Sequence, residues 1–111
     1  MEVVSTGQWT ESRPGETNIE GFRHGAKVTV ILEDAEPGSG PRLHWHPYGE
    51  TWVVIEGRVA FTDGHETKEA GAGDVVYVGP TEPHRFRVLP GGKAKMVCIH
   101  QSEKFETNWL E

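Results

Sequence analysis

Several things are scarce in this chain, and each shortage excludes a class of protein. There is one cysteine, Cys98, among 111 residues. No disulfide can close within the chain, so a disulfide-stapled secreted scaffold is excluded. Lysine and arginine number 11 against 17 aspartates and glutamates, giving a net charge of −6, and they form no basic cluster. Neither a nucleic-acid backbone nor an anionic membrane surface is an expected partner. No apolar run approaches the ~20 residues that a spanning helix needs. The opening "MEVVSTGQWTE" lacks the basic and apolar regions of a signal peptide. The expectation from these absences is a soluble, cytoplasmic protein.

What the chain does have is turn formers, with 14 glycines and 7 prolines, and a hydrophobic fraction of only 35%. Its length suits one domain, residues 1–111. Short β-like runs alternate with turn signals. "KVTVILE" (27–33), "RLHWH" (42–46), "ETWVVIEG" (50–57), "RVAFTD" (58–63), "VVYV" (75–78), "HRFRVL" (84–89) and "KAKMVCI" (93–99) read as strands. "EPGSGP" (36–41), "DGH" (63–65), "EAGAGD" (69–74), "GPTEP" (79–83) and "PGG" (90–92) read as the turns between them. Strands at such regular spacing predict an all-β sandwich or small barrel. The tail "SEKFETNWLE" is the one place where a helical turn is expected, with Phe105 and Trp109 four residues apart.

The chemistry gathers in two segments. In "PRLHWHPYGETW" (41–52), His44 and His46 share a parity, so on a strand they face the same way. Pro47 and Gly49 then bend the chain before Glu50. Two imidazoles and a carboxylate brought together are most of a metal site. "GDVVYVGPTEPHRF" supplies the fourth candidate, His84, whose strand face is shared by apolar Phe86 and Val88. A histidine facing an apolar interior needs a hydrogen-bond partner or a metal. Three imidazoles and one carboxylate suit a single divalent transition ion (Fe, Mn, Ni, Zn, Co or Cu) and not the oxygen-seeking Ca or Mg.

These residues carry a resemblance. The chain is similar to small single-domain cupins, whose first motif reads G-x5-H-x-H-x3,4-E-x6-G. Gly38, His44, His46, Glu50 and Gly57 match it without departure. The second motif, G-x5-P-x-G-x2-H-x3-N, is met at Gly73 and His84. It is not met at Gly79, where proline is usual, at Thr81, where glycine is usual, or at Val88, where asparagine is usual. The resemblance implies a jelly-roll β-barrel with the ion inside, held by His44, His46, Glu50 and His84. It also implies pairing into a homodimer, which an apolar tail carrying Phe105, Trp109 and Leu110 would favour.

Other residues have two readings. Met96, Cys98 and His100 share one face of the last strand. If that face is inward, His100 is the best general base; if outward, it is a surface residue. Tyr48 in the turn is either an acid or substrate donor, or a structural turn residue. Arg42 is either a partner for a substrate carboxylate at the mouth or a solvated strand end. Trp52 either packs in the core or touches substrate, and a pocket lined by Trp52, Phe86 and Val88 is expected. Trp45 points away from the histidines, toward packing or an oligomer contact. His24 and His65, each beside a glycine, read as surface residues. Two functions follow: a metal-dependent enzyme of dioxygenase, isomerase or lyase type acting on a small oxygenated organic molecule, or a protein that binds a sugar or organic acid without turnover.

Overall fold

A computed structural model describes all of the residues, the Thr6 side chain excepted. Eleven short strands run in chain order. They are β1 (Thr10–Arg13), β2 (Glu16–Ile19), β3 (Thr29–Ala35), β4 (His44–Trp45), β5 (Glu50–Glu56), β6 (Arg58–Thr62), β7 (Thr67–Gly71), β8 (Val75–Val78), β9 (Arg85–Val88), β10 (Ala94–His100) and β11 (Asn108–Trp109). One six-stranded sheet has the order β1-β2-β3-β10-β5-β8. Facing it are β7-β6-β9 and β11-β4, which a backbone bridge between His44 and His84 joins into a second layer. The neighbouring pairs are antiparallel, and the result is the expected jelly roll.

Alternation decides what lies inside. On β10, Ala94, Met96, Cys98 and His100 are buried while Lys95 is exposed, so the undecided face of the last strand is the inner one. Glu50, Trp52 and Val54 face inward from β5, and Phe86 and Val88 from β9. Aromatic contact closes the sandwich: Trp52 meets Phe61 at 5.2 Å between ring centroids, and Phe61 meets Phe86 at 5.9 Å. The register stacks the first sheet's inner face in layers. Glu50, His100 and Thr29 form the polar end. Trp52, Cys98 and Ile31 come next, then Val54, Met96 and Glu33, and finally Ala94 and Ala35.

Several expectations need correction. The tail is not helical: Asn108 and Trp109 pair with Trp45 and His44, because an edge strand left by β4 is better satisfied by a ladder than by one isolated turn. Among described residues the helical segments are two 3-10 turns, at Thr6–Gln8 and Gly21–His24. "EAGAGD" is only partly a turn, since Thr67–Gly71 pairs with β6. The first 26 residues are not featureless: β1 and β2 extend the main sheet beside β3. On β3 the apolar Val30 and Leu32 are only half-buried, whereas Thr29, Ile31 and Glu33 are the inward set. Phe105 is not free apolar surface, because it packs on the core with its ring against His100.

Two motif positions show their physical purpose. Gly57, between β5 and β6, has φ +86°, and a Cβ there would lie 2.4 Å from the Lys93 carbonyl oxygen. Thr81, standing where the family uses glycine, is the one non-glycine residue at positive φ among those described, at 65°. A β-branched residue in that region is strained. The turn holds because the Thr81 N–H donates to the His46 carbonyl at 2.8 Å, which ties the His84 turn to the His44–His46 strand. Thr81→Gly should therefore raise unfolding free energy by about 1 kcal/mol, and Gly57→Ala should lower it by about 2 kcal/mol or more. Urea denaturation of the two variants measures both signs.

Candidate metal centre

His44 and His46 reach the interior from β4 and the residue after it, Glu50 opens β5, and His84 immediately precedes β9. All four are buried, and one ligating atom from each lies within 4.8 Å of every other. The sequence-derived set is thus brought together. Each histidine is fixed by a backbone carbonyl: Nδ1 of His44 donates to Arg42 at 2.7 Å, that of His46 to Glu106 at 2.9 Å, and that of His84 to Glu82 at 2.8 Å. With the proton on Nδ1, each ring turns an Nε2 lone pair inward, the tautomer that a metal requires.

The donor set fits a cation. Glu50 Oε1 lies 3.1 Å from His46 Nε2 and 3.3 Å from His84 Nε2. Lone pairs cannot face a carboxylate at that range unless positive charge sits among them. Burial pushes His44 down to about 4, so that ring is neutral at ordinary pH. Burial opposes charge on Glu50 too, but hydrogen bonding, that of His100 first, wins and holds the carboxyl well below its usual range. These residues could hold one divalent metal ion.

His100 completes the cluster from β10. Its Nε2 donates to Glu50 Oε1 at 3.2 Å, and its Nδ1 faces the Tyr48 hydroxyl at 2.6 Å. Burial raises Tyr48 to about 12, so the phenol keeps its proton. The Glu106 N–H donates to the phenol oxygen, which leaves the phenol proton for His100 Nδ1. A directed chain therefore runs from Tyr48 through His100 to Glu50. Of the two, His100 lines the cavity and Tyr48 stands behind it.

That cavity holds about 800 Å³ and opens beside the four-residue cluster. Trp52 and Phe86 line it as expected, but Val88 does not: it is sealed in the core beyond Phe86. Arg42 reaches the rim, where it stacks over Trp109 at 4.6 Å and donates to the Glu111 carbonyl. His24 pairs with Glu2, and His65 lies exposed, so neither joins the site.

Sequence reasoning missed a second polar group on the cavity wall. Arg13 Nη2 donates to both Glu33 carboxyl oxygens, at 3.1 and 3.3 Å, while its Nε donates to Glu16. Glu33 is only 4% exposed. One guanidinium cannot neutralise two carboxylates in a buried place. Burial, then Glu16, pushes Glu33 up to about 9, so Glu33 stays protonated. The signal available was the "ESRPGE" turn, which places Arg13 and Glu16 on paired strands. Nothing in the sequence said that β3 turns Glu33 inward.

With this geometry in view, the likenesses to known proteins are informative. A family model for the cupin domain matches residues 31–100, and the chain belongs to that family. It is 32% identical over 89 residues to the (R)-mandelonitrile lyase of Granulicella tundricola, an alignment covering 78% of this chain and 64% of that one. It is 29% identical over 75 residues to a protein of Methanocaldococcus jannaschii, covering 67% and 60%. The chain thus spans less than two thirds of either relative. Among solved structures, the polyketide cyclase RemF from Streptomyces resistomycificus superposes with a TM-score of 0.77 at 20% identity, over 100% of this chain and 86% of that one. Bacillus subtilis oxalate decarboxylase superposes at 0.75 with 22% identity, over 86% and 27%. At such identities these two structures establish the cupin fold alone. No helix is long and apolar enough to cross a membrane.

Glu33 gives the chain a signed pH dependence. Its folded pKa of about 9 lies above the ordinary 4.5, so between those values unfolding releases a proton that the folded state keeps. That contribution favours folding less and less as pH rises through the window. The Glu33→Gln variant should therefore lose less thermal stability than the parent between pH 5 and about 9. Melting temperatures across that range measure the difference, and parallel curves would contradict the assignment.

Proposed function

We infer that this protein is a metal-dependent cupin enzyme acting on a small oxygenated organic molecule by proton transfer, chemistry of the lyase or isomerase kind. The observation that carries this reading is the chain from Tyr48 through His100 to Glu50, which ends on the cavity wall. One divalent transition ion per chain would be held by His44, His46, Glu50 and His84. When bound, it supplies a Lewis-acid centre of net positive charge that stabilises an anionic oxygen.

The rest falls to the chain itself. Backbone carbonyls on three Nδ1 atoms keep the ligand rings from turning. Trp52 and Phe86 form an apolar wall, which lowers the local dielectric and strengthens attraction at the polar end. His100 is the group that faces a seated substrate, and the proton it can give and then take back is the one on Nε2, which rests on Glu50. Tyr48 is a positioning residue that fixes the tautomer of His100. The likeness to a mandelonitrile lyase supports the lyase reading. The proton chain favours it over dioxygenase chemistry.

The assembly we favour is a homodimer, and Trp109 and Leu110 of the tail stand exposed for it. Ile55, Val75 and Tyr77 stand exposed on the outer face of β5 and β8, and β8 is an open sheet edge.

Protein purified without a polyhistidine tag should contain about one transition metal ion per chain, and His84→Ala should lose most of it. Full metal retention in that variant would remove His84 from the ligand set. Across a panel of mandelonitrile, keto acids, diketones and sugars, His100→Ala should cut turnover by about 10²-fold with metal content unchanged. Tyr48→Phe should cut it less and shift the pH profile. Tight binding across the panel with no conversion would favour a binding protein. Light scattering should give the dimer mass, and Tyr77→Glu should give the monomer.

A further inference from the structure

The cavity has a second pole. Its wall carries Arg13, Glu16 and Glu33 on β1, β2 and β3, apart from the four metal-site residues. The guanidinium of Arg13 stands over the Phe86 ring at 5.4 Å. On the inner face of the first sheet, Glu33 lies two layers from Glu50, four residues along β3 or about 13 Å of strand. The two poles therefore face one space, separated by a span that a chain of several carbons with a polar group at each end can bridge.

The character of this pole follows from its charges. Arg13 divides its one positive charge between two carboxyl groups, so the pole offers no net positive charge. A second anion would meet the oxygens of Glu16 and Glu33 with no net attraction to offset them. A neutral oxygen has no such penalty. Arg13 commits Nε to Glu16 and Nη2 to Glu33, leaving Nη1 to donate.

The wall between the poles is aromatic. Trp52 and Phe86 line the cavity there, and the Trp52 nitrogen is itself closed off from solvent, so Trp52 meets the cavity through its ring. Such a wall suits the carbon chain of a ligand whose two ends are polar.

We propose that the cavity binds a small organic acid whose far end carries a hydroxyl or carbonyl oxygen, and that Arg13, braced by Glu16 and Glu33, is the specificity residue that receives that end. This deepens the enzyme reading and rests on it, because the carboxylate is taken to seat at the metal pole.

The test is calorimetry on manganese-loaded protein with butyrate, 4-hydroxybutyrate and succinate, and with the next two homologues of each. The hydroxy acid of best-fitting length should bind about tenfold tighter than both its fatty-acid and its diacid counterparts. Arg13→Met should erase that advantage, so that the hydroxy acid binds no tighter than its fatty-acid counterpart. Glu16→Gln and Glu33→Gln together, which remove both carboxyls from the guanidinium, should leave Arg13 with an unneutralised charge and make the diacid the preferred ligand. Equal or tighter binding of the diacid by the parent protein overturns the inference and leaves the metal site standing. If no carboxylate binds to loaded protein, the metal-site reading falls and this inference with it.

Discussion

Three hydrogen bonds from imidazole Nδ1 to backbone carbonyls are the constraint on which the site depends. They fix His44, His46 and His84 in one tautomer and aim three lone pairs at the space beside Glu50. The carbonyls of Arg42 and Glu82 lie two residues before the histidines they hold, whereas that of Glu106 comes from the tail, 60 residues from His46. The tail must therefore be in place before the cluster has its geometry. The paired backbone of His44 and His84 is the seam where the barrel closes, because it joins the two pieces of the second layer. Folding and site assembly are thus one event in this molecule.

The interior is divided rather than uniformly apolar. Strand layers run from the polar end at Glu50, His100 and Thr29 to the sealed end at Ala35 and Ala94. Between them, Trp52, Phe61 and Phe86 join the sheets by ring contact. The Trp52 ring also sits edge-on to His84 at 5.3 Å. One aromatic residue therefore supports the core, braces a ligand ring and lines the cavity. Burial raises the cost of any unpaired charge at both poles, and each answers it differently. At the metal pole, hydrogen bonding, that of His100 first, keeps Glu50 ionised against the cost of burial. At the Arg13 pole, burial keeps Glu33 protonated, and Glu16 adds to it by competing for the same guanidinium.

Much of the site was legible because a strand face has period two and the ligands obey it. His44 with His46, Glu50 with Trp52, and His84 with Phe86 each share a face in the sequence and in the fold. The last strand was legible only as a choice, since parity groups Cys98 with His100 but does not say which side is inside. The N-terminal strands were not legible. "TESR" and "ETNI" are polar, and what makes them strands is pairing with β3 rather than any pattern of their own. Glu33 was hidden for a related reason. The apolar alternation of Val28, Val30 and Leu32 marks a face, yet that face is the half-buried outer one, and a carboxyl lies on the inner one. The tail misled because a four-residue aromatic spacing suits a helix and also suits a chain that folds Phe105 onto His100 and pairs Trp109 with His44.

The central claim is that the chain itself dictates which nitrogen of each histidine faces the ion. Long-range nitrogen–proton NMR of the zinc-loaded protein, which is diamagnetic, reads this directly. The account predicts that His44, His46 and His84 carry their proton on Nδ1 and bind zinc through Nε2. It predicts the opposite tautomer for His100, with the proton on Nε2 and no zinc bound. A zinc-bound Nδ1 on any of the three, or a zinc-bound His100, would contradict it.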